Sequence, residues 1–316
     1  MQHQKYPKII LLCIACTLLA FFASNRLFRG DLAGWKLIIS SDGLGYYAYL
    51  PALLIDHDMT YQKVAVKEKK ILGYNRYEPS YLEKSGNRVM NKYFAGEALL
   101  LLPFFLAATL ISWLGGIEIT GYSFFFQLFT GLGALFYLLL GLYYLKKLLQ
   151  HFRIEPILAS VTIIAILLGT NLFYYSLWQP CMSHVYSFFA INGFLWYSCR
   201  TVQGPKLKYM AFASLFLGFT VLIRPTNGVV ILLLPFLINN SDEAVNLKVY
   251  LQKNIGVLLI PLLIFFLVVS IQFILWHIQT GHWFTWSYKD EGFLFSNPQF
   301  SNVLFSYRRD YSFTRL

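Results

Sequence analysis

The chain has 316 residues, 57% of them apolar and 13% charged, with 26 Lys and Arg against 15 Asp and Glu for a net charge of +11. Its mean hydropathy is +0.53. A soluble domain carries about 25% charged residues, so this composition excludes a disordered chain, a coiled coil, a disulfide-stapled secreted module and a cytosolic enzyme. It leaves a polytopic, all-α membrane protein. The basic residues sit in small groups between long apolar runs, which fits loops facing an anionic leaflet and argues against nucleic acid as a partner.

A run of roughly 20 apolar residues crosses the hydrocarbon of a bilayer. In chain order the candidates are Ile9–Ser24, Ala95–Leu114, Tyr122–Leu145, Ile157–Tyr175, Val185–Cys199, Tyr209–Ile223, Thr226–Ile238 and Ile255–Trp276. Lys5 and Lys8 give the first the look of a signal peptide, but the seven segments downstream make it an uncleaved anchor. Basic groups lie at Lys5/Lys8, Lys146/Lys147/Arg153, Arg200/Lys206/Lys208 and Lys248/Lys253. All four fall on one face only if Ala95–Leu114 does not cross and is instead in-plane or re-entrant. Glu97 agrees, because a carboxylate at mid-bilayer costs a few kcal/mol.

The expectation is therefore seven spans plus in-plane or re-entrant helices, with a cytoplasmic N-terminus. Residues 1–276 form the membrane core, with an external loop over about 25–94, and residues 277–316 form an external tail. Cys13, Cys16 and Cys199 lie in apolar or interfacial segments and Cys181 in a short connector, so the cysteines suggest no metal or redox pair. Gly131 and Gly133 sit inside an apolar run, which rules out a phosphate-binding glycine loop there.

Four stretches carry chemistry. In Ser40–Pro51 (SSDGLGYYAYLP), Asp42 precedes two glycines and the tyrosines Tyr46 and Tyr47. A carboxylate beside glycines is approachable, and burial against aromatics suits it to general-base work. An interfacial helix cap in an aromatic belt fits the same residues. In Asn91–Pro103 (NKYFAGEALLLLP), Lys92 and Glu97 open the doubtful helix, Glu97 being either a second acid at the site or an acid favoured by the helix dipole. In Gln179–Phe189 (QPCMSHVYSFF), His184 opens a span, as a ligand contact or a packing residue. In Leu222–Asn227 (LIRPTN), Arg224 precedes a helix-breaking proline and Asn227 follows it. A fixed guanidinium there suits a phosphate, as a snorkelling side chain would suit a helix end.

Together these stretches resemble the GT-C superfamily of polytopic glycosyltransferases, and most closely the bacterial relatives of protein O-mannosyltransferases and aminoarabinose transferases. Asp42 with Tyr46 and Tyr47 is similar to that family's first-loop acidic motif. Tyr93–Pro103 looks like its juxtamembrane helix, and Tyr137–Lys147 (YLLLGLYYLKK) is similar to a span ending in a basic turn. The resemblance implies a bacterial cytoplasmic-membrane enzyme that takes a polyprenyl-phosphate sugar as donor and a lipid, glycan or protein as acceptor. It implies Asp42 as general base and Tyr46, Tyr47, Lys92, Glu97, His184, Arg224 and Asn227 as substrate-binding residues. His184 stands where relatives often carry an Asp, so no metal site is assigned, and the sequence supports no cofactor. The ending YRRDYSFTRL, where relatives continue with further spans, reads as a truncated or frame-shifted product. The main alternative is a transporter or lipid-linked glycan flippase, but the runs between loops are nearly free of charge, unlike a translocation path.

Overall fold

The computed structural model describes residues 6–26, 34–73, 79–238 and 240–288. Lys5 and the YRRDYSFTRL ending lie outside the described residues. The described chain is predominantly helical. Helix α1 (Tyr6–Arg26) is followed by a short loop helix α2 (Gly43–Pro51), by α3 (Gln62–Leu72), and by a hairpin of β1 (Leu82–Ser85) with β2 (Arg88–Asn91). Then come α4 (Gly96–Leu114), α5 (Phe124–His151), α6 (Pro156–Gly169), α7 (Leu172–Leu177), α8 (Ser183–Gln203) and α9 (Leu207–Ile223). A 3-10 helix (Pro225–Leu237), α10 (Ser241–Lys253) and α11 (Leu259–Thr280) complete the order.

Among the described residues, four helices are long and apolar enough to cross a membrane: Ile9–Arg26, Gly96–Leu114, Phe124–His151 and Ile255–Thr280, or five spans if Pro225–Leu237 with Ser241–Lys253 counts as one. These helices point to a membrane protein. They do not add up to the seven spans expected: α9, at 17 residues, and α8 fall short of the length and apolarity required, and two further expected spans depart locally. The expected span Ile157–Tyr175 is broken at Thr170–Asn171 into α6 and α7, the Thr170 hydroxyl donating back to the Ile166 carbonyl at 2.6 Å. The expected span Thr226–Ile238 is a 13-residue 3-10 helix opened by Pro225 and containing Pro235. At about 2.0 Å of rise per residue it covers about 26 Å, against about 20 Å for an α-helix of that length. Fewer residues thus reach further than the sequence count implies.

Helix α4 is long and apolar enough to cross, in keeping with its place among the candidate runs, and Glu97 lies in its first turn, not at its middle. Yet both flanks of α4 return to α2. An added Cβ on Gly45 would strike Tyr93, just before α4, and the Tyr47 hydroxyl donates to the Gly121 carbonyl, just after it, at 2.6 Å.

The stretch between α1 and α4 is tied down by buried polar bonds. Glu68 of α3 accepts from the Tyr81 hydroxyl at 3.0 Å and from the Tyr122 hydroxyl at 2.8 Å. Three glutamines in long helices accept loop backbone N–H groups: Gln127 from Ile39 at 2.7 Å, Gln272 from Ala95 at 2.9 Å, and Gln279 from Asn91 at 2.9 Å. The Gln279 amide also donates to the Tyr61 hydroxyl at 3.1 Å. Asn91 in turn donates to the Gly45 carbonyl at 2.7 Å, which links the strand β2 to α2.

Gln279→Leu would keep the volume and orphan the buried Asn91 N–H, so it should destabilise the protein by about 1–3 kcal/mol. Thermal unfolding in detergent should show a lower Tm for this variant than for a Leu substitution at the exposed Gln252.

Candidate functional site

The site forms where four sequence-distant segments end at the same level of the helix bundle. Asp42 is the residue before α2, Glu97 lies in the first turn of α4, His184 in the first turn of α8, and Arg224 follows the last residue of α9. Two glycines allow the approach. A Cβ on Gly96 would run into the backbone of Leu222 and Ile223, so the absence of a side chain brings the start of α4 onto the end of α9 and Glu97 beside Arg224. A Cβ on Gly43 would sit 2.7 Å from both the Cβ and the carbonyl oxygen of Cys181, so the start of α2 is wedged against the connector before α8. The Cys181 thiol donates to the Gly43 carbonyl at 3.3 Å and faces the Glu97 carboxylate.

At the centre, Arg224 donates through Nη2 to the Tyr46 hydroxyl at 3.4 Å. The Tyr46 and Tyr93 rings lie 4.4 Å apart, and the Tyr93 phenol faces the Asp42 carboxylate. Burial pushes the Tyr93 phenol up, and the adjacent Asp42 charge pushes it further. Burial also raises Tyr46, with the Arg224 guanidinium pulling the other way. Burial works against the charge on Arg224, but the oxygens of Tyr46, Tyr288 and Glu97 around it more than offset that cost, and its pKa is raised. Asp42 is half-buried at the rim, whereas Glu97 is fully buried.

Neither Glu97 carboxylate oxygen has a hydrogen-bond partner among the described residues, and neither does the buried Ser183 hydroxyl. Orphaned buried oxygens are rare in a folded protein. Glu97, beside Arg224, carries two of them. No group of three or more His, Cys, Asp or Glu able to hold a metal occurs among the described residues.

Of the residues expected from sequence, Asp42, Tyr46, Glu97, His184 and Arg224 come together. His184 stacks on Tyr175 with centroids 3.9 Å apart, within electrostatic reach of Arg224. Lys92 sits over the Tyr93 ring, its Nζ 5.3 Å from the centroid. Tyr47 is different: it is enclosed against Phe105 and Tyr122 and its hydroxyl is used on Gly121, so it is a packing residue. Asn227 donates to the Ser187 hydroxyl at 3.0 Å and fixes the 3-10 helix to α8, which makes it a support for Arg224 and not a member of the cluster. Sequence reasoning missed Cys181, Ser183, Tyr93 and Tyr288 as neighbours. Tyr93 lies in the same short stretch as Lys92 and Glu97, and Cys181 and Ser183 in the same stretch as His184, whereas Tyr288 lies in none of the four.

No protein-family model, curated protein or solved structure matches this chain. What the fold and the site define is a predominantly helical membrane protein with one cluster of charged and phenolic side chains gathered at its helix ends.

Burial, and then the nearby Glu97, push the Cys181 thiol well above its ordinary value. The reactive form is the thiolate, so at pH 8 the buried Cys181 should react with a maleimide more slowly than a free thiol. Peptide mass spectrometry should show the label at Cys181 only after denaturation.

Proposed function

We propose that this protein is a membrane glycosyltransferase that moves a sugar from a polyprenyl-phosphate donor to an acceptor hydroxyl at the outer face of the membrane. What supports the reading is the meeting, in one cluster at the helix ends, of the Asp42 carboxylate at the rim and a charged Arg224 guanidinium held by Tyr46. In this reading the acceptor oxygen attacks the anomeric carbon, and Asp42 takes the hydroxyl proton. The bond from that carbon to the phosphate oxygen breaks, and its electron pair leaves with the polyprenyl phosphate. Arg224 stabilises the developing negative charge, which a phosphate leaving group needs more than it needs a proton. One base and one phosphate leaving group on opposite sides of the carbon suit inversion. Tyr46 and Tyr93 supply flat apolar faces for the sugar, and His184 and Lys92 flank the phosphate.

A core of seven spans goes with this proposal, α4 lying in the interface and the other apolar segments crossing. The return of both flanks of α4 to α2 supports it, as do the four basic groups on one face. The N-terminus is then cytoplasmic. Topology reporters fused after Gly115 and after Arg153 should report the outside and the cytoplasm respectively, and the reverse pair would discard the arrangement.

The orphaned Glu97 supports a second reading, a proton-coupled transporter or lipid-linked glycan flippase, because unpaired acids in apolar helices serve such paths. Donor-dependent glycosyl transfer in proteoliposomes separates the two. Given such transfer, Asp42→Asn should reduce it by about 10²–10⁴-fold, the usual contribution of a positioned base, and Arg224→Ala should do comparable damage. Retention of more than half the activity in Asp42→Asn would remove the base from its role.

A further inference from the structure

We propose that a depression at the far end of α8 from the candidate site is a second binding site, which takes the phosphate of an organic phosphate on Arg153, Gln203 and Asn240. It stands apart from the glycosyltransferase reading. Helix α8 begins at Ser183 beside the candidate site and ends at Gln203, about 30 Å away by its length.

The depression has a volume of about 380 Å³ and is lined by His151, Phe152, Arg153, Gln203, Asn240 and Glu243. The end of α5, the end of α8 and the start of α10 meet there. Pockets for small organic ligands run from about 300 to 1,000 Å³, so there is room for an organic group beyond the phosphate. Two amides supply donors. The Gln203 Oε1 accepts from Arg200 at 3.5 Å, and the Asn240 Oδ1 accepts the Glu243 N–H at 2.9 Å. With both oxygens engaged, the N–H ends of the amides remain for a ligand, and neither is bonded among the described residues. Glu243 and His151 are engaged within the protein, and neither is needed to hold the anion.

Arg153 supplies the charge, and it does so from a strained position. It follows α5 with φ of +55°, in the left-handed region. Its N–H donates to the Gln150 carbonyl at 3.1 Å and the Ile154 N–H to the Leu149 carbonyl at 3.0 Å, the pair of bonds that closes a helix at a left-handed residue. Such a position usually holds Gly or Asn, because a larger side chain is strained there. The Arg153 guanidinium makes no hydrogen bond or ion pair among the described residues, so no internal contact offsets the strain. A cation for the helix dipole or for an anionic leaflet does not need this position, since Lys146 and Lys147 already stand near the end of α5. A guanidinium forks two phosphate oxygens, and the two amides can donate to the others. An anionic phospholipid headgroup and a water-soluble organic phosphate share this chemistry. The exposed Ile157 and Leu158, within five residues of Arg153, give the chains of a lipid a surface to run along.

The test is a titration of the delipidated full chain in detergent with dioleoyl phosphatidic acid and, separately, with glycerol 3-phosphate. Binding is read as hydrogen-exchange protection in peptides covering residues 150–157 and 241–247, which locates it at this end of the bundle. Protection by the lipid alone identifies a headgroup site, and protection by glycerol 3-phosphate identifies a site for soluble organic phosphates. Protection by neither overturns the proposal. Whichever probe binds, Arg153→Gly and Arg153→Gln should weaken it about tenfold or more, the loss expected for a hydrogen bond between charged groups. Lys253→Ala, at the other end of α10, should bind as wild type. Wild-type affinity in either Arg153 variant would overturn the site, and so would an equal loss in Lys253→Ala, which would mean diffuse surface charge. Without ligand, Arg153→Gly should melt at or above the wild-type temperature, because glycine relieves the left-handed backbone. A lower Tm would show that the protein itself holds the side chain and would overturn its availability to a ligand.

Discussion

Irregular backbone in an apolar setting has to find hydrogen-bond partners within the protein, because neither lipid nor a packed core provides them. The site depends on how this chain meets that constraint. Gln127, Gln272 and Gln279 each stand in a long apolar helix and accept one N–H from the loop that carries the site. An amide is the suitable group: it is uncharged, so it is less costly to bury than a carboxylate, and it can accept and donate at once, as Gln279 does between Asn91 and Tyr61. Through these bonds the positions of residues 39, 91 and 95 are dictated by the helix bundle. Asp42, Tyr93 and Glu97 follow from them within three residues.

Close packing does the rest. The glycines at 43, 45 and 96 are placed where any side chain would enter Cys181, Tyr93 with Tyr81, or the backbone at Leu222–Ile223. Each is a contact between a loop helix or helix start and a segment far away in the chain. Gly45 shows the economy of the arrangement: its missing side chain admits the Tyr93 ring, and its carbonyl accepts the Asn91 amide. The same residue thus sets the distance and the register of the segment that enters α4.

How much of this was legible in the sequence follows from the range of the interactions. Apolar runs and their lengths are local, and most of the helices appear where the hydropathy placed them. The break at Thr170–Asn171 and the 3-10 geometry after Arg224 were not legible, because a run such as PTNGVVILLLPFL has the same composition whichever helix it adopts. For the site, Asp42, Glu97, His184 and Arg224 could be picked out singly, since charge amid apolar sequence is conspicuous. Their convergence could not, because it rests on glycine contacts and amide bonds more than 100 residues apart in sequence, such as Gln279 with Asn91 and Gly96 with Ile223. Tyr288 gave no local signal: a tyrosine after an aromatic run looks like its surroundings. Tyr47 gave a false one, since its neighbour Tyr46 faces the site and successive helical residues do not share a face.

The arrangement of charge also explains why the site is lined with phenols. A carboxylate and a guanidinium brought together in an apolar setting would pair, and each would be lost to any ligand. Asp42 and Arg224 form no ion pair with one another. Between them stand Tyr93, facing the acid, and Tyr46, bonded to the cation, with their rings in contact at 4.4 Å. A phenol can donate to the one and accept from the other without carrying charge, and burial keeps both phenols in that neutral form. The tyrosine pair thus holds opposite charges near enough to act on one molecule and too far apart to neutralise each other. Glu97, buried close by and with no hydrogen-bond partner for either carboxyl oxygen, leaves the outer nitrogens of Arg224 unclaimed.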